Sequence, residues 1–297
     1  MEVLYDIAGT SRQAFHQWMQ PSDYQQNKTQ QSAVIAMAHD IRKRFLPGSS
    51  ARAVYTFIRH KHPHYNDLLR GWGKHAFEHL CLHNGLRIEH RRFVPKTTQR
   101  GDYVFDNLIE GLAINDINMI WVSDICYIFS SGGQLIGYAT TVMDVYSRRL
   151  LGLAFSQTMH AAVTSQVVIR QALKVRASYN LDHLIFHSDA GKQYIEKGFL
   201  ALLASRNIRS SMAESCYENA FAESLNDIIK NHLLPEWDLN SFQELKKNEK
   251  FIMNCYNINR SHGSLNRMTP VEFELSLANL PPCQRTFVNI QTKSTSI

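Results

Sequence analysis

Three acidic residues occupy positions where an acid needs a reason. Asp124 interrupts the apolar run IWVSDICYIF, Asp189 closes the run LIFHSD, and Glu223 lies in the amphipathic stretch NAFAESLNDIIK. A carboxylate among strand-forming apolar residues is costly unless a partner or a metal takes its charge. An acid at the end of a strand can point into a cleft, and Gly191 permits the sharp turn that follows Asp189. Asn219, four residues before Glu223, and Lys230, seven after it, fall along the same helical face. Taken singly, the acids read as an edge-strand residue, a helix cap and a solvated helix residue. Brought together from separate elements they would repel one another, unless divalent cations lay between them. Oxygen ligands of this kind suit two Mg²⁺ ions roughly 3.5 to 4 Å apart, with Mn²⁺ as a substitute, which is the arrangement for in-line displacement at phosphorus.

The elements that must position these acids are legible from the apolar patterning. IWVSDICYIF, QLIGYATTVMDVYS and RLLGLAFSQTM read as three strands of an antiparallel meander. AAVTSQVVIRQALKVRASY has helical periodicity and DHLIFHSD is a short buried strand. KQYIEKGFLALLASRN then reads as a helix, IRSSMA as a short strand, and NAFAESLNDIIKNHLL as a long helix stopped by Pro235. This succession is that of an α/β fold with a ribonuclease H-like mixed sheet, expected over residues 101–235. Capping boxes at Ser241 with Glu244 and at Thr269 with Glu272 predict a small helical region over 236–297.

Residues 1–100 are expected to be helical. LYDIAGTSRQAFHQWMQ reads as helix, Gly turn and helix, with Arg12 on the outward face, either as a helix-turn-helix or as an ordinary hairpin. SAVIAMAHDIRKRF and ARAVYTFIRH repeat the arrangement around LPGSS. RIEHRRFVPKTTQR, with Arg91 and Arg92, is either a phosphate-tracking arm or a solvated linker. The formal charge of +6 and pI near 9.0 favour a polyanionic partner. Five scattered cysteines without a C-x-x-C pair argue against a disulfide framework and a standard zinc site. Without a signal segment or an 18-residue apolar run, the expected compartment is the cytoplasm.

Several ordered motifs also resemble the DDE transposases of bacterial insertion sequences, specifically the OrfB product of the insertion-sequence-three family. NLIEGLAINDINMIWVSDICYI looks like the approach to that family's first catalytic Asp, HSDAGKQY like the second, and CYENAFAESLNDIIK like the stretch with the Glu and a later Lys. YNINRSHGSLNRMTPVEFE resembles its C-terminal signature. The resemblance implies a retroviral-integrase-like core, a catalytic triad at Asp124, Asp189 and Glu223, and Lys230 as a contact to element-end DNA. It also implies cleavage and strand transfer at terminal inverted repeats, with a homo-oligomer pairing two ends. The chain departs from the family in having 33 residues between Asp189 and Glu223, fewer than usual, and Glu218 where Asp is common. SSMAESCYENA also lacks the usual Gly-bearing turn.

Other residues carry competing readings. His60, His62, His64, His75, His79, Cys81 and His83 suggest zinc, yet solvated or phosphate-facing histidines suit the spacing better. Asp144 reads most simply as an ion-pair partner of Arg148 or Arg149. His187 either tunes the site or, as the simpler reading has it, packs beneath it, and Trp121 is expected in the core. Arg260 and His262 contact phosphates or stabilise a turn, and the resemblance favours DNA, as it does for Asn219 beside Lys230. A DNA-binding regulator that does no chemistry, or a nuclease of the same fold, are the alternatives to a transposase.

Overall fold

The computed structural model describes residue 11 and residues 21–88, 105–213, 219–236 and 241–290. The opening helix-turn-helix candidate with Arg12, the basic segment from residue 89 with Arg91 and Arg92, and Glu218 lie outside the described residues. The chain divides into two compact units.

The first is helical. In α1 (Pro21–Phe45) the residues Val34, Met37, Ala38 and Ile41 recur at helical spacing and are buried. The helix α2 (Ala51–Lys61) starts where the Ser50 hydroxyl accepts the Ala53 N–H at 3.2 Å, and it buries Val54, Phe57 and Ile58. A third helix, α3 (Lys74–His83), turns Phe77 and Cys81 inward, with the Phe77 ring 5.3 Å from that of Tyr55. His75, His79 and His83 remain exposed on the other side. Cys81 therefore does not join them, and among the described residues no three His, Cys, Asp or Glu side chains could hold a metal as they stand.

The second unit is built on a five-stranded mixed sheet. Strands β1 (Ile120–Phe129), β2 (Leu135–Asp144) and β3 (Leu150–Ser156) form the antiparallel meander. Strands β4 (Ile185–Ser188) and β5 (Arg209–Met212) lie parallel to β1 in the order β3-β2-β1-β4-β5, the ribonuclease H-like topology. Parallel pairing needs crossovers, supplied by α4 (Ser165–Val175) and α5 (Lys197–Ala204). Alternation along β1 sorts its side chains between two layers. Trp121 and Ile125 join Val168, Ile169, Ala172, Phe199 and Leu203 on one face. Ile120, Val122, Cys126 and Ile128 join Ala222, Leu225, Ile229, Leu245 and Ile252 on the other, beneath α6 (Ala220–Asp227) and α7 (Phe242–Asn254). Asp124 shares the parity of this second set.

The segment expected as one helix after Asp189 is broken. A single 3₁₀ turn spans Lys192–Tyr194, and α5 restarts because the Glu196 carboxylate accepts the N–H groups of Gly198 and Phe199 at 2.8 and 3.1 Å. Similarly, α6 gives way at Ile228–Leu233 to a π-helical stretch. Both expected capping boxes form, the second opening α8 (Pro270–Leu277).

Hydrogen bonds from outside the sheet reach both of its edges. The N–H groups of Leu150, Leu153 and Phe155 on β3 donate to side-chain oxygens of Asn257, Gln171 and Glu249 at 2.9, 2.9 and 2.7 Å. On β5 the Met212 N–H reaches the Asp106 carbonyl at 3.3 Å.

Asp144 makes no ion pair with Arg148 or Arg149, contrary to the simple expectation. It is fully buried and accepts the N–H groups of Asn118 and Ser147 at 2.6 and 2.9 Å, with the Ser147 hydroxyl at 3.2 Å. Arg149 turns instead to Glu274 of α8, which also binds Arg176 through two guanidinium nitrogens. This cluster fastens α8 to the end of α4 and to the β2–β3 turn. The turn has the geometry to bind Asp144 locally, so the arginines are released for longer-range partners.

Candidate active site

Asp124 pairs across the sheet with Thr141 and faces α6. Its Oδ1 accepts the following Ile125 N–H at 2.8 Å, and its Oδ2 accepts the Asn226 side-chain N–H at 2.7 Å. The Thr141 hydroxyl donates to Asn226 Oδ1 at 3.5 Å, a long contact that nonetheless fixes which end of the amide meets Asp124. Burial first, and then the negative charges of Asp189 and Glu223, raise the Asp124 carboxyl to about 7 against the opposing pull of its two hydrogen bonds. Acids from the end of β4 and from α6 thus both act on the carboxyl of β1.

Asp189 follows β4 and, through Oδ1, accepts the Gly191 N–H at 3.2 Å; burial raises its carboxyl above the ordinary range. A Cβ added at Gly191 would stand 2.9 Å from that Oδ1 and 2.8 Å from Gln193 Oε1. Gly191→Ala is therefore expected to displace the Asp189 carboxylate and slow any reaction there by about 10² fold, since misplacement of about 1 Å has that effect. Turnover measured beside an unchanged melting temperature checks this.

Glu223 is exposed on α6, with its charge within reach of Asp124. Asn226, one turn further along that helix, is a functional residue that sequence reasoning missed. Its spacing of three from Glu223 was the available signal. Asn219 is buried rather than outward, its amide N–H donating to the Ser123 carbonyl at 3.0 Å, so it joins the start of α6 to β1. Behind β1, the Ser123 hydroxyl meets the buried Tyr194 hydroxyl at 2.8 Å, tying the acid-bearing strand to the turn after Asp189.

Lys230 lies in the π stretch, and its positive charge acts on Cys126, two residues beyond Asp124 on the same face of β1. The structure therefore sets an ammonium on the side of the sheet that carries the acids. His187 is fully buried with Nδ1 2.9 Å from Ser211 Oγ, a link between β4 and β5. Trp121 is buried and donates to Asn118 Oδ1 at 3.3 Å. Arg260 and His262 are half-buried on the turn between α7 and α8. The His262 ring is 5.0 Å from that of Tyr256, and burial with the Arg260 and Arg148 charges lowers its pKa to about 4, so it is neutral at pH 7.

Residues 115–216 match a family model described as an integrase core domain, and residues 207–270 match a second with the same description. An insertion element IS600 protein of 31 kDa from Shigella sonnei, described as uncharacterized, is 27% identical over 275 residues, which is 90% of this chain and 96% of that one. A putative transposase for insertion sequence element IS986/IS6110 from Mycobacterium tuberculosis is 32% identical over 165 residues. That match covers 53% of this chain and 58% of the relative. Among solved structures, the HTLV-2 integrase catalytic core domain in complex with magnesium aligns with a TM-score of 0.41 at 18% identity, covering 53% of this chain and 97% of that one.

Proposed function

We infer that this chain, whose residues 115–216 and 207–270 match two models of an integrase core domain, is a DNA transposase of the insertion-sequence type whose chemistry is carried by Asp124, Asp189 and Glu223. The observation that carries the assignment of the three acids is their convergence: β1, which bears Asp124, pairs with β4, which Asp189 follows, and Asp124 is bonded to Asn226 on the helix of Glu223, so that both other acids act on its carboxyl. Buried oxygen donors that resist sharing negative charge are a suitable setting for a hard divalent cation. Asp124, Asp189 and Glu223 would hold two Mg²⁺ ions, or Mn²⁺ in their place, with the exposed Glu223 side chain supplying the movable ligand. When bound, the ions offset the charge on the attacking and leaving oxygens of an in-line displacement.

The chain's own residues supply orientation. Asn226 and the Ile125 N–H hold both oxygens of Asp124, and the Gly191 N–H holds Asp189, so neither carboxylate must be ordered when DNA arrives. Lys230 places a positive charge for a backbone phosphate of the element end. In the first displacement a water oxygen attacks phosphorus and frees a 3′-hydroxyl. That hydroxyl then attacks a target phosphodiester, forming a new phosphorus–oxygen bond as the target strand's own 3′-oxygen leaves, with no covalent link to the protein. Residues 1–100, with Arg12 and the basic pair Arg91 and Arg92, serve recognition of terminal repeats, and two copies pair two ends. Within residues 236–297, α7 and α8 form a helical C-terminal region. No helix among the described residues is long and apolar enough to cross a membrane, and the work of the protein on DNA sets it in the cytoplasm.

Strand transfer by purified protein on labelled element-end DNA with Mg²⁺, beside Glu223→Gln, tests the reading. Joined products from the wild type and none from the variant are expected. Cleavage without joining would point to a nuclease, and metal-independent binding without any reaction to a regulator.

A further inference from the structure

The β2–β3 turn holds Arg148 at φ 59, a left-handed conformation unfavourable for an arginine. This places its guanidinium 4.3 Å from the centre of the Phe221 ring, on the helix that presents Glu223. Arg148 Nη1 is buried with no hydrogen-bond partner, as is His262 Nε2. The neighbouring acids are committed elsewhere. Asp144 is bonded to Asn118 and Ser147, and Glu274 to Arg149 and Arg176. Asp227 is mostly exposed and accepts from Asn231 at 2.6 Å, with His232 Nε2 at 3.6 Å. Positive charge is thus concentrated around Tyr256 by Arg148 and Arg260, and burial weakens the hold of both guanidiniums on their protons. A cation held in a costly backbone conformation, partly desolvated and without a carboxylate bonded to it, is a setting for an anion.

We propose that Arg148, with Arg260 and His262 beside it, binds a backbone phosphate of DNA next to the helix of Glu223. The planar guanidinium offers two parallel N–H groups to phosphate oxygens, and the neutral imidazole can donate one more. The aromatic ring of Phe221 keeps the fork flat and limits its rotamers. The inference rests on the reading of the chain as a DNA-acting enzyme, and it adds a contact outside the acidic triad.

The test has two readouts. Thermal melting in sodium phosphate and in sodium chloride at equal ionic strength should show stabilisation of the wild type by phosphate that Arg148→Gln lacks. Fluorescence anisotropy with an end-sequence duplex over a range of salt should show a log–log slope smaller by about 1 for Arg148→Gln, the loss of one phosphate contact. Should that variant not fold, Arg148→Lys keeps the charge and loses the fork. It should melt as the wild type in chloride while gaining less from phosphate. A variant that retains both the phosphate stabilisation and the salt slope makes Arg148 a structural brace and overturns the proposal. If the wild type joins DNA but the slope does not change, the pocket alone fails. If the wild type neither binds nor joins DNA, the transposase reading fails, and with it the assignment of the pocket to DNA.

Discussion

Replacing Asp124 with Asn is expected to abolish strand transfer, by on the order of 10³ fold or more, while making the metal-free protein more stable. The two effects have one origin. The carboxyl titrates near 3.8 when unfolded and at about 7 when folded. The fold therefore prefers the protonated acid. Below the unfolded value both states are protonated and there is no effect. As pH rises from about 4 towards 7 the unfolded chain ionises first, and stability falls. Above the folded value the full destabilisation is present, on the order of 4 kcal/mol. Urea denaturation in chelator at pH 5 and pH 8 should show a loss of stability at the higher pH that is much smaller in Asp124→Asn. Added Mg²⁺ should recover stability at pH 8 in the wild type only. Equal pH dependence in both proteins would remove Asp124 from the role of a strained ligand.

Glu274→Gln should cost about 3–5 kcal/mol of stability, the expected effect of removing one partner from a buried ion pair. Arg176, 1% exposed, would keep its charge with no carboxylate hydrogen-bonded to it. The pairing with Arg176 and Arg149 holds the Glu274 carboxyl below its usual range despite its burial. For an acid with a lowered folded pKa, the stabilisation is present above the unfolded value and is lost as pH falls through the folded one. Acid should therefore weaken the wild type below about pH 4.5, the ordinary value for this group, and affect the Gln variant less. Denaturation curves check the magnitude. Strand transfer per folded molecule should change little, because Glu274 lies in the cluster at Asp144, three residues along β2 from the partner of Asp124.

The meander, the short strand ending near Asp189 and the helix of Glu223 could be read from the sequence because each follows a simple period of apolar residues. Asp124 announced itself by breaking such a period. Asn226 did not, since an amide on a helix next to an acid is ordinary until the strand opposite is known. The release of Arg149 and Arg176 to Glu274 was equally hidden, because it joins residues more than 90 positions apart. The break before α5 depended on whether Glu196 would cap or continue a helix, which local propensity leaves open. The π stretch after Asp227 has no pattern of its own, for the same apolar residues serve either geometry.

The stoppered rims of the sheet have a consequence for assembly. With the outward amides of Leu150, Leu153 and Phe155 already engaged, a neighbouring copy has no row of donors along β3 on which to lay a strand. A second copy of this chain would therefore not extend the sheet across β3, and would meet that rim through side chains. Contact at that rim would weaken with salt, and it could not grow into a continuous ribbon of strands.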